Sequence, residues 1–178
     1  MKTVFFDIDT QIDFVYPAGA LYVPGAEQIL PVIGELNRHA PTVISTMDAH
    51  SEDDPEFKIY PHHCVVGTTG QRKPAVTLVG NTTRQLILEK QTLDCFASPH
   101  LAPLLEKLNA DRYVVYGVVT EICVKYAAFG LLKTGKPVEM VTDAVKALDE
   151  PSAQAMFSEF CSAGGRLTTS AEVLAEFR

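Results

Sequence analysis

Short apolar runs alternate along the chain with stretches of helical spacing. Val4 to Ile8 is an apolar run that meets acids at its end, the pattern of a buried strand. A loop punctuated by Pro17, Gly19, Pro24 and Gly25 follows. Ile29, Leu30, Ile33 and Leu36 recur at helical spacing within 26–39, and Pro31 predicts a helix start near it. Thr42 to Thr46 is β-branched and predicts a second strand. From 47 to 83 the pattern breaks into a polar segment carrying Pro55, Pro61, Gly67, Gly70, Pro74 and Gly80. Loops of that length inside a compact domain are usually functional or disordered, and the His and acid content favours function. Leu86 to Leu88 predicts a strand ending at Lys90, 99–108 a helix, and Tyr113 to Val119 is the most strand-like stretch. Residues 121–134 read as a helix ending before Gly135, Val138 to Val141 as a strand, and 151–163 as a helix that Pro151 opens. Arg166 to Thr168 is a short strand, and 170–177 a last helix begun by Ser170.

This alternation predicts an α/β fold: a single three-layer α/β/α domain over 1–178, with a mainly parallel sheet and helices on both faces. In such sheets ligands bind beyond the carboxyl ends of the strands, so the polar residues there matter most. Composition narrows the partners. AVILMFWYC make up 47% and charged residues 21%, a globular balance. With 15 basic and 22 acidic residues the formal charge is −7, which argues against nucleic acid or an anionic membrane as main partner. No apolar run approaches the roughly 20 residues a membrane span needs. The N-terminus reaches Asp7 after three apolar residues, unlike a secretory signal, so the expectation is cytoplasm and reduced thiols. The four cysteines, at 64, 95, 123 and 161, form no C-x-x-C pair, and each is by default a buried small hydrophobe.

Context then separates some of these residues. Asp7, Asp9 and Asp13 cluster after the first strand, where Asp also serves as an ordinary turn or helix cap. Asp48 and His50 stand at i and i+2 after the second strand, so an extended chain projects both to one side. With Glu56 and His63 from the long loop they would offer an ion only O and N ligands, a set that suits Zn²⁺, Fe²⁺ or Mn²⁺. Cys123 falls on the first turn of the helix after the longest strand, where unpaired N–H groups and the helix dipole favour a thiolate and could hold an oxyanion. Lys90 closes its own strand. Lysines there are usually solvated, but beside a carboxylate and a thiolate this one would hold a network of charges together.

Taken in order, these segments resemble the isochorismatase-like cysteine hydrolases, and within them the nicotinamidases. Asp9-Thr10-Gln11-Ile12-Asp13-Phe14 is similar to their D-x-Q-x-D-F opening. Gly19-Ala20-Leu21 and Val23-Pro24-Gly25-Ala26 resemble the loop after it. Asp48-Ala49-His50 with Pro61-His62-His63-Cys64 resembles their metal segment, Lys90 through Phe96 their K-x-x-x-[small]-x-F stretch, and Gly117 to Cys123 their nucleophile turn. The resemblance implies a triad of Asp9, Lys90 and Cys123. It implies a divalent metal on Asp48, His50 and His63, with Glu56 where some nicotinamidases carry a third His. It also implies a cis peptide at Val118–Val119 beside an oxyanion site, and a substrate pocket walled by Phe14, Leu21, Tyr60 and Phe96. The expected chemistry is hydrolysis of a small amide, nicotinamide to nicotinate and ammonia, by a homo-oligomer. Ile12, Ala49 and Tyr60 depart from the family pattern of Asn, an aromatic and Trp. Within the superfamily, a carbamoyl or ureido amidohydrolase and an isochorismatase-type vinyl-ether hydrolase are the other readings. A binding module without catalysis would have no use for Asp9, Lys90 and Cys123 together.

Overall fold

The computed structural model describes residues 1–177 and places six strands in one parallel sheet. They are β1 (Thr3–Ile8), β2 (Val43–Asp48), β3 (Gln85–Lys90), β4 (Arg112–Val118), β5 (Val138–Lys146) and β6 (Arg166–Thr168). Their spatial order is β3-β2-β1-β4-β5-β6, so chain direction across the sheet reverses next to β1. The helices are α1 (Ile12–Val15), α2 (Leu30–His39), α3 (Leu101–Leu108), α4 (Lys125–Leu132), α5 (Glu150–Ser162) and α6 (Ser170–Phe177). Helices α2 and α6 pack together against one face, and α4 packs with α5 against β4 and β5. The expected α/β class with a parallel sheet is the fold observed.

The sequence explains the layering. Every residue of β1 and β4 is buried, because helices cover both faces of the central strands, and such strands read as continuous apolar runs. Edge strand β3 instead alternates buried with exposed positions, leaving Ile87 half in solvent. Among the described residues no helix is long and apolar enough to cross a membrane.

Several boundaries differ from the sequence reading. Strand β5 runs on to Lys146, five residues beyond Val141. Polar Thr142 and Asp143 mimic a strand end, but Asp143 accepts hydrogen bonds from the Ser170 backbone N–H and hydroxyl and so anchors α6. The register between β4 and β5 shifts after Val115, which accommodates the extra length. The helix expected over 121–134 begins as a π turn, Thr120–Val124, before α4. The helix expected over 26–39 begins as a 3₁₀ turn, Ala26–Ile29, with Pro31 in the first turn of α2. The one-turn α1 has too few residues to show a helical period, and so carries no signal in the sequence.

Candidate active site

The carboxyl ends of four neighbouring strands converge on one point. Asp48 and Lys90 are paired in register across β2 and β3, and Ile8 is paired with Gly117 across β1 and β4. Gly117 has φ of 120°, and a Cβ there would lie 2.2 Å from the Ile8 carbonyl oxygen. Only glycine permits that approach, which brings the turn bearing Cys123 beside the turn bearing Asp9.

Asp9 follows β1 in a left-handed conformation, with φ of 47°. Its backbone N–H donates to the Thr46 carbonyl, and the Thr46 hydroxyl donates to its Oδ1 at 2.6 Å. Lys90 Nζ sits 2.8 Å from Asp9 Oδ2 and donates to Asp48 Oδ1. Asp9 Oδ2 is buried, and its contact is the ion pair with that ammonium. The charges of Asp9 and Lys90 both act on the neighbouring Cys123 thiol. Asp9, Lys90 and Cys123 are thus in mutual reach, and each is at most 6% exposed.

Burial raises the proton affinity of the two acids, and neighbouring charges raise that of the lysine. Burial lifts the Asp9 pKa, with Asp48 adding to the rise and Lys90 opposing it. It raises the Cys123 thiol well above its ordinary value, Lys90 opposing and Asp9 and Asp48 assisting. For Lys90 burial works toward loss of the proton, but Asp9, Cys123 and Asp48 outweigh it and hold the ammonium charged. At rest the site is therefore a protonated thiol beside the Asp9–Lys90 pair.

Next to this triad lies a cluster of metal-ligand types. Asp48, His50 and His63 present ligand atoms within 4.8 Å of one another, and all three are buried. His50 Nε2 stands 3.8 Å from Asp48 Oδ2, and His63 Nε2 stands 3.8 Å from Glu56 Oε1. The opposite ring nitrogens are fixed: His50 Nδ1 is 3.0 Å from Asp54 Oδ2, and His63 Nδ1 is 2.8 Å from the Pro61 carbonyl. That second layer turns both Nε2 atoms toward the cluster, the arrangement metal-binding histidines need. His50 Nε2 is fully buried yet has no hydrogen-bond partner, the mark of a donor set that fits a cation. Burial works to lower the His50 pKa; the neighbouring carboxylates of Asp48, Asp54 and Glu56 outweigh it and raise it to about 9. A cation held there would displace that proton.

Three residues to which the sequence reading gave no role hold the cluster together. Gln11 clamps the Asp48 backbone, accepting from its N–H at 2.7 Å and donating to its carbonyl at 2.8 Å. Asp13 accepts from the backbone N–H of Cys64 and of Ala20, tying the His63 segment to the loop after α1. Asp54 accepts from the Glu56 N–H at 2.9 Å while holding His50, so one carboxylate orders two candidate ligands. Asp54 stands two residues before Glu56 in a polar turn, a signal too common to single it out.

A cavity of about 250 Å³ opens between triad and cluster. Phe14, Leu21, Tyr60, Val119 and Cys123 line it, with Asp48, Glu56 and His63 on one side. The Val118–Val119 peptide is cis. Phe96 is the exception to the expected wall. Its ring lies flat on α4, where a Cβ on Gly130 would come within 2.3 Å of it, so it fills a gap between α4 and the 3₁₀ turn Cys95–Ala97. Leu93 and Ile122 line the cavity instead, with Leu148 at its mouth. Of the other cysteines, Cys64 and Cys95 are buried; burial lifts the Cys95 thiol to about 12 and the Cys64 thiol higher still, while Cys161 is exposed on α5.

Residues 3–172 match the isochorismatase domain. The nicotinamidase of Acinetobacter baylyi is 28% identical, over 94% of this chain and 92% of its own. The pyrazinamidase of Pyrococcus horikoshii in complex with zinc superposes with a TM-score of 0.85 at 28% identity, covering 95% of this chain and 99% of that one. PnC1 of L. infantum in complex with nicotinate gives a TM-score of 0.86 at 29% identity, covering 96% and 93%.

Proposed function

Because the chain belongs to the isochorismatase family, and is a hydrolase acting on amide C–N bonds, we propose that it converts nicotinamide to nicotinate and ammonia through a thioester on Cys123. The observation that carries this reading is the buried Asp9–Lys90 ion pair beside Cys123, with Cys123 opening onto a cavity walled on one side by Asp48, Glu56 and His63.

The steps follow from the proton inventory. Cys123 rests as a thiol, so attack needs a base, and Asp9 takes its proton as Sγ bonds to the carboxamide carbon. Asp9, raised by burial, holds that proton until it passes to the leaving nitrogen, and the C–N bond breaks to release ammonia. Lys90 keeps its charge throughout and offsets the negative charge that moves between Asp9 and Cys123. Backbone N–H groups of Val119 and Cys123 are assigned to the oxyanion of the tetrahedral states. Water then attacks the thioester with Asp9 as base, the C–S bond breaks, and the acid leaves with the thiol restored. A divalent cation, Zn²⁺ in our reading, would be held by Asp48, His50, His63 and Glu56, and supplies a Lewis-acid position for the pyridine nitrogen. Phe14, Leu21 and Tyr60 would wall the ring.

Among the described residues the cavity lining includes no Lys or Arg, which favours a neutral amide over an anionic carbamoyl compound. The reading extends to a cytoplasmic homo-oligomer serving NAD salvage; exposed Ile59, Val66 and Ile87 supply apolar surface for contact between copies. An ammonia-release screen over nicotinamide, pyrazinamide, carbamoyl and ureido compounds, with and without chelator, tests the substrate. Turnover confined to the carbamoyl and ureido compounds would overturn nicotinamide.

A further inference from the structure

Beneath the Asp9–Lys90 pair lies a second buried lysine–aspartate pair that the chemistry above does not use. Lys73 Nζ stands 2.9 Å from Asp7 Oδ2, and both side chains are at most 1% exposed. The Thr10 hydroxyl donates to Asp7 Oδ1 at 2.7 Å, and Lys73 donates to that same hydroxyl. Asp7 Oδ2 further accepts from Asn37 at 3.0 Å and Ser45 at 3.2 Å, and the Tyr116 hydroxyl donates to Asn37 at 2.6 Å. The pair is thus anchored in α2, β2 and β4 at once.

Asp7 and Thr10 flank the turn that carries Asp9. Their side-chain bond closes the chain across Ile8 and Asp9, and the Gln11 N–H donates to the Asp9 carbonyl at 2.7 Å. Inside that closed loop Asp9 holds φ of 47°, a conformation L-residues other than glycine seldom adopt without support. Nothing in strand pairing requires two acids on one strand end. A buried charge pair spanning the turn does account for Asp7.

We propose that Asp7, Thr10 and Lys73 form a clamp that positions Asp9 for proton exchange with Cys123. They are positioning residues, since none lines the cavity. The inference rests on the reading of Asp9 as the base. A clamp that sets the aim of a base governs kcat, while substrate affinity, set by the cavity walls, stays as it is.

The test measures kcat and KM for nicotinamide, and the rate of Cys123 alkylation by iodoacetamide, in four variants. Thr10→Val keeps the shape and removes the hydroxyl; we expect kcat to fall about 10- to 100-fold with KM within about twofold, and alkylation to slow in parallel. Thr10→Ser, which keeps the hydroxyl, stays near the parent. Asp7→Asn/Lys73→Met removes the pair without leaving a lone buried charge, and repeats the kcat loss in protein that still melts cooperatively. Should Thr10→Val not fold, this double variant and Thr10→Ser carry the test. Parent-like kcat in Thr10→Val, or in a folded double variant, overturns the clamp. Equal loss in Thr10→Ser and Thr10→Val also overturns it. Asp9→Asn separates the two claims: if it keeps parent activity, the base assignment itself fails, whereas an inactive Asp9→Asn beside a fully active Thr10→Val sinks the clamp alone.

Discussion

Lys90 Nζ lies 2.8 Å from Asp9 Oδ2 and at the same time donates to Asp48 Oδ1, so one buried ammonium joins the carboxylate beside the thiol to a carboxylate of the metal-type cluster. Removing it leaves two acids facing one another in a dry site. Lys90→Met should cost about 3–5 kcal/mol of stability, the scale for breaking a buried ion pair. It should also lower kcat at least about 100-fold, the scale of general acid–base assistance. Thermal melting and ammonia release on the same preparation check both; parent-like kcat in Lys90→Met would remove lysine from the mechanism.

Asp54 does not line the cavity, yet it fixes His50 and the turn carrying Glu56. Asp54→Ala should therefore weaken Zn²⁺ binding about 10- to 100-fold, as outer-layer substitutions do, without unfolding the protein. Competition against a chromophoric chelator gives the affinity directly. Unchanged affinity would mean that His50 needs no orienting partner.

Tyr60 and Phe96 were equal candidates for the ring wall in the sequence, and they make opposite predictions in the structure. Tyr60 lines the cavity, so Tyr60→Ala should raise KM several-fold, on the order of 1–2 kcal/mol of lost contact. Phe96 packs on Gly130, so Phe96→Leu should lower the melting temperature and leave KM unchanged. Steady-state kinetics paired with calorimetry distinguishes the two.

The C-terminal helix offers a pH test. Arg112 donates to Glu176 at 2.7 Å and, by that hydrogen bond above all, lowers the Glu176 pKa. A carboxylate depressed on folding contributes stability above its unfolded value, near 4.3–4.5, and the contribution is lost as pH falls through the folded value. Glu176 is partly solvated, so the amount is small, about 0.2–1 kcal/mol. Glu176→Gln should therefore melt slightly below the parent at pH 7 and equal it at pH 2.5. A gap that persists at pH 2.5 would point to packing rather than charge.

Much of this arrangement is legible in the chain because parallel central strands announce their own ends. The apolar runs of β1, β2 and β4 stop where Asp9, Asp48 and Cys123 begin, and the sheet then brings those stops together. Residues acting across long sequence gaps stay hidden. Lys73 lies in a polar loop and looks solvated until that loop is seen to pass under β1. Leu93 and Phe96 share one short stretch, and only the approach of Gly130 decides which of them faces the cavity. Asp54 is hidden for another reason: its partner His50 is only four residues away, but the irregular turn between them has no period that shows the two side chains meeting.

The central claim is a thioester on Cys123, and hydroxylamine partitioning tests it most directly. With nicotinamide or a nicotinate ester as donor, the account predicts the same ratio of nicotinohydroxamate to nicotinate, because both pass through one acyl-enzyme, and neither product from Cys123→Ala. Ratios that differ between donors, or ammonia release by Cys123→Ala at the parent rate, would contradict it.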